Sequence, residues 1–124
     1  MTEEPTPTQA AKTIDREHQI QIRLLQALAK GLDQGEEVSD LVDRLCEFSR
    51  AHFLSEELLM RLYAYPDYDD HVLDHERMVD WLEEIRTRQG DLAGRRHAVQ
   101  ELTAIFLRHI GSRDKRLHEF LEET

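Results

Sequence analysis

Three polar pairs, His52-x-x-x-Glu56, His71-x-x-x-His75 and His109-x-x-x-x-Asp114, lie on the apolar stripes of this chain, and His18 does the same by itself. On a helix, side chains at i and i+4 stand one above the other. Imidazoles and carboxylates directed into a core are costly unless partnered, so these residues must meet. In an antiparallel helix pair, residues at one height are equidistant from the turn between them. The midpoint of His18 and His52 is position 35, where Gly35 stands. The pairs His52–His75 and Glu56–His71 centre on 63–64, close to Pro66. The pairs His75–His109 and His71–Asp114 centre near 92, where Asp91 lies between Gly90 and Gly94. Turns inferred from the polar residues alone thus fall on or near chain-breaking residues.

The apolar periodicity agrees with these breaks. A first helix is predicted from about Thr13 to Leu32, with Ile14, His18, Ile22, Leu25, Leu28 and Leu32 at three- and four-residue steps. A second starts at Glu37 or Ser39 and carries Leu41, Leu45, Phe48, His52, Glu56, Leu59 and Tyr63 on one face. Tyr65-Pro66-Asp67 ends it, because the residue before proline is pushed out of the helical region. Asp67, Asp69 or Asp70 can cap a third helix presenting His71, His75, Met78, Leu82 and Ile85. The fourth runs from Leu92 or Arg95 to Phe120. Four such helices with short links imply an all-α, up-down-up-down antiparallel four-helix bundle over residues 12–124. Residues 1–11 hold two prolines and three threonines without apolar periodicity and read as a flexible arm.

The composition narrows the function classes. A net charge of −10 disfavours nucleic acid and anionic membrane as partners, since both are polyanions. The single cysteine, Cys46, excludes an internal disulfide and suits a reducing compartment. No apolar run approaches 18 residues and the N-terminus is acidic and polar, so neither a transmembrane helix nor a secretory signal is expected. The expected location is the cytoplasm.

A dinuclear metal centre would satisfy the five imidazoles and two carboxylates. Each carboxylate can bridge two ions, and five nitrogens divide three and two, which leaves an open position for a small ligand. Imidazole with carboxylate suits iron, and also zinc or manganese. The step of five from His109 to Asp114 swings the side-chain direction by roughly 140°. Asp114 must therefore reach sideways, or the helix must bulge.

The stretches I-D-R-E-H (14–18), H-F-L-S-E-E-L-L-M (52–60), Y-P-D-Y-D-D-H-V-L-D-H (65–75) and H-I-G-S-R-D-K-R-L (109–117) resemble the hemerythrins, especially bacterial ones. The resemblance covers nearly the whole chain past residue 13. It implies a non-haem diiron site, bridged by an oxo or hydroxo group, that reversibly binds O₂ for storage, delivery or scavenging. It further implies that His71, His75 and His109 hold the coordinatively full iron, that His18 and His52 hold the open one, and that Glu56 and Asp114 bridge. The family often places a tryptophan four residues before the fourth-helix histidine, packed by the site; Ile105 stands there in this chain. Greater solvent access would favour an O₂ or redox sensor acting through a partner, or a diiron oxidase or peroxidase acting on O₂, peroxide or nitric oxide. A bundle with structural zinc is the plainest alternative.

Other residues read more simply. His97 and His118 lie off the common level and are expected at the surface. Glu17, Glu57, Asp74 and Glu76 adjoin the inward residues but turn about 100° away, towards solvent. Gln21, one turn after His18, is a candidate neighbour of the site. Cys46, Met60, Met78, Tyr63 and Trp81 are expected to pack, and Phe53 to pack or to wall the pocket.

Overall fold

The computed structural model describes residues 6–124. Three long helices, α1 (Pro7–Asp33), α2 (Ser39–Leu62) and α3 (Tyr68–Thr87), precede a fourth rod. That rod is α4 (Leu92–His109), a π-helical segment (Ile110–Asp114) and α5 (Lys115–Glu123) in direct succession. Helix α1 packs on α2 and on the α4–α5 rod, and α3 packs on α2 and α4, which closes the up-down-up-down bundle. No strand occurs among the described residues. None of the helices there is long and apolar enough to cross a membrane.

The links lie at 34–38, 63–67 and 88–91; the first two contain the centres inferred from the polar residues, and the third ends just before the centre expected near 92. Each contains one residue in the left-handed region: Gly35 at φ 68°, Ala64 at φ 53° and Gly90 at φ 81°. Helices α1 and α2 end in the same way. Glu36 N–H donates to Gly31 C=O and Gly35 N–H to Leu32 C=O; Tyr65 N–H donates to Met60 C=O and Ala64 N–H to Arg61 C=O. These crossed pairs satisfy carbonyls that a helix end leaves free. At the start of α4, the Asp91 carboxylate accepts from Gly94 N–H at 3.0 Å. Asp67 precedes α3 without a side-chain cap, and Asp69 and Asp70 fill its first turn.

The N-terminal boundary needs correction. Helix α1 starts at Pro7 rather than Thr13, and Ala10 and Ala11 are buried, so residues 7–11 are not a flexible arm. Thr6 caps the helix: its hydroxyl accepts from Gln9 N–H, and the Gln9 side chain accepts from Thr6 N–H. Residues 1–5 of the expected arm lie outside the described residues.

The core is divided. The larger apolar cluster includes Leu28, Leu45, Met78, Leu82, Ile85 and Leu102; the smaller includes Ile14, Met60, Tyr65, Leu117 and Leu121. The inward-facing polar residues form a layer between them.

Candidate metal centre

Four neighbouring rods contribute to the layer: His18 from α1, His52 and Glu56 from α2, His71 and His75 from α3, and His109 and Asp114 from the last rod. All seven are buried, none more than 5% exposed. The five imidazoles direct their Nε2 atoms towards the two carboxylates. Glu56 Oε1 lies 2.8 Å from His71 Nε2 and 3.1 Å from His75 Nε2. Its other oxygen, Oε2, lies 2.8 Å from His52 Nε2 and 3.4 Å from His18 Nε2. Asp114 repeats the division, with Oδ1 2.9 Å from both His71 and His109 and Oδ2 2.7 Å from His18. Each carboxylate therefore offers one oxygen to a three-histidine set and the other to a two-histidine set.

The π-helical segment explains how Asp114 joins. A π turn closes from i to i+5, so each turn takes about one residue more than an α turn. His109 and Asp114 flank or end the segment Ile110–Asp114, and the widened turn brings them to one face. The bulge is the outcome that a step of five required.

Carboxylates next to the inward residues fix the ring orientations. The Nδ1–H of His52 donates to Glu17 at 3.0 Å, that of His75 to Glu57 at 2.9 Å, and that of His109 to Asp74 at 3.1 Å. A carboxylate can only accept, so each outer pair puts the proton on Nδ1 and leaves the Nε2 lone pair facing inward. The expectation that Glu17, Glu57 and Asp74 face solvent is thus overturned, whereas Glu76 is exposed. Each reaches from one helix to the histidine of the next: α1 to α2, α2 to α3, α3 to α4. The clue present in the sequence was a carboxylate directly beside an inward residue on three successive helices. Gln21 is buried but donates to Ser49 Oγ at 3.1 Å. Phe53 stacks on His75 with ring centroids 4.4 Å apart, and Phe106 meets His18 edge-on at 6.0 Å. Ile105 instead lines a groove with Trp81 and His97 between α3 and α4.

Inward lone pairs now face carboxylate lone pairs, so protons or a cation must lie between them. Burial disfavours charged imidazoles at His18 and His71, but close contact with Asp114 and Glu56 outweighs it and raises both to about 9. His52 is raised in the same way, burial opposing and Glu56 prevailing. Burial would raise the Glu56 carboxyl, yet four surrounding imidazoles hold it well below the usual carboxylate range. Burial and the Glu56 charge likewise oppose ionisation of Asp114, which the facing histidines keep strongly lowered. The layer thus demands positive charge.

Its geometry fits a metal ion as the source. His18 Nε2, His109 Nε2, Glu56 Oε2 and both Asp114 oxygens are buried without a hydrogen-bond partner, despite their short separations. Donors about 2.1 Å from one ion and at right angles to each other lie about 3 Å apart, close to the spacing found. Two groupings meet the distance requirement for cation binding: Glu56, His71, His75, His109 and Asp114, and His18, His52 and Glu56. The sequence profile described as the hemerythrin HHE cation binding domain matches residues 9–121. The chain belongs to the hemerythrin family. Comparison with curated proteins and with solved structures returns no match. The hemerythrin match spans all seven residues of the mid-bundle layer, whose donor atoms lie close enough together to hold a cation.

Proposed function

We propose that the layer holds two iron ions and that the protein reversibly binds O₂ there. One observation carries the reading: each bridging-type carboxylate divides its oxygens between a set of three imidazoles and a set of two. His71, His75 and His109 would hold one ion, His18 and His52 the other, and Glu56 and Asp114 would span both. The two-histidine set is one nitrogen short, which supports an open position on that side. When bound, the pair of irons supplies two electrons to O₂ and recovers them on release.

The chain's own residues prepare that chemistry. Glu17, Glu57 and Asp74 hold Nδ1 protons outward and so present Nε2 as a donor to the ion. Phe53 covers the face of His75 and Phe106 packs edge-on against His18, which helps exclude water and would protect a reduced centre. The buried thiol of Cys46 and the acidic surface fit a cytoplasmic setting.

The test is to reduce the iron-loaded protein without air, add O₂, and then remove it while following the visible spectrum. A charge-transfer band that appears and disappears with O₂ is expected. Absence of two irons per chain, or of any band, would refute the proposal. Rapid conversion to a stable oxidised form would replace it with a sensor or an oxidase.

A further inference from the structure

Two surface clefts reach residues of the polar layer, and they differ in what they reach. The cleft between α2 and α3, about 440 Å³, meets His75 together with Glu57 and Phe53. It therefore meets the outer edge of that imidazole, where Nδ1 is engaged by Glu57 and the ring face by Phe53. The cleft between α1 and α5, about 430 Å³, is lined by His18 and Asp114. Both present inward donor atoms that are buried and lack a hydrogen-bond partner, His18 Nε2 and Asp114 Oδ2. This cleft therefore lies against the two residues that carry these donors, whose inward atoms are themselves closed to solvent.

Its walls are acidic. Asp15, Glu119 and Glu122 surround the mouth, against one amine, Lys115, and only Ile110 is apolar. His118 lies across the mouth: Nδ1 is 3.2 Å from Asp15 on α1, and Nε2 contacts Glu122 on α5. A clasp of this kind ties the two helices together and occupies two of the wall carboxylates. Because the metal-distance groupings found lie in the core and not at the mouth, the cleft is suited to passage rather than to retention.

We propose that the α1–α5 cleft is the route by which a divalent metal ion enters and leaves the centre, with Asp15, Glu119 and Glu122 drawing the cation in and His118 restraining the mouth. The proposal rests on the layer being a cation centre. An acidic approach raises the local concentration of cations and hence their rate of arrival. It does not alter affinity, because none of these four side chains touches the buried donors.

The experiment follows Co(II) uptake by the full-length, metal-free chain in stopped flow, using the visible absorption of the ion, and its removal by a chelator. In the combined variant Asp15→Asn, Glu119→Gln, Glu122→Gln, uptake and release should both slow by about tenfold at low ionic strength, with stoichiometry and affinity unchanged. His118→Ala should accelerate both. A general loss of structure would not give opposite signs for the two changes. The matched variant Glu76→Gln, Asp80→Asn, at the α2–α3 cleft, should leave the rates as they are. Unchanged rates in the triple variant, or equal slowing by the matched variant, would overturn the route while leaving the centre intact. No Co(II) uptake by the unaltered chain would overturn the centre itself.

Discussion

At the scale of single residues, the inner and outer carboxylates should separate cleanly. Glu56 faces four imidazoles, so Glu56→Ala should abolish stoichiometric metal binding, measured as iron per chain after loading, while Glu47→Gln on the exposed side of α2 should not. Glu57 touches only the far nitrogen of His75. Its replacement by Gln should keep the site but weaken metal binding by about 10- to 100-fold, read by competition with a chelator; Glu76→Gln, one position past His75, should change nothing. The inner set was legible in the sequence because i, i+4 spacing and the turn positions are two independent constraints on the same residues. The outer set was not. A position next to an inward residue lies about 100° round the helix, on the border between core and water, and a two- or three-carbon side chain can turn either way there. What decides is the imidazole nitrogen of the neighbouring helix, which no single-helix pattern contains.

At the scale of elements, the π-helical turn makes a step of five in the sequence act as a step of four in space. Deleting Gly111 should therefore restore a plain α-helix and still bring the histidine and aspartate to one face. Metal content should stay at the unaltered level; deleting both Gly111 and Ser112 should lose it, because the aspartate then turns away by about 100°. Circular dichroism checks that both variants stay helical. The end of α2 offers a second change. Ala64 sits at φ 53°, a conformation that costs an L-residue about 1 kcal/mol or more. Ala64→Gly should offset part of that, raising stability by about 1 kcal/mol at most in urea denaturation, since glycine also loses more chain entropy on folding. Helix starts were less legible than helix faces. Apolar periodicity begins near Thr13, but Pro7 is acceptable in a first turn and Thr6 with Gln9 closes a capping box. Short-range capping, not the apolar stripe, sets that boundary.

At the scale of the whole molecule, the polar layer makes stability depend on pH in a way that the metal should cancel. His18 and His71 rise from 6.5 to about 9 in the folded metal-free chain. Their contribution is fully present below pH 6.5 and is lost as pH climbs through 9. Glu56 and Asp114 are lowered, so theirs is present above their ordinary values of 4.5 and 3.8 and lost as pH falls further. The metal-free protein should melt highest between about pH 5 and 6.5, with Tm falling towards pH 9; the loaded protein should keep its Tm over that range, because the ion replaces the protons. Calorimetry with and without metal checks both statements. The divided core carries this one step further. The smaller apolar cluster binds the start of α1 to α5, and the larger one, with Trp81 against it, fills the opposite end. With the ion in place the ends are joined through one set of bonds and unfold as a unit. Without it, the layer couples them through ion pairs between its carboxylates and protonated imidazoles, which are lost as pH climbs through 9, and the smaller end can then fray while Trp81 still reports a folded neighbourhood. A bound cation would then make melting all-or-none, so that the layer which holds it would also set the cooperativity of the chain that encloses it.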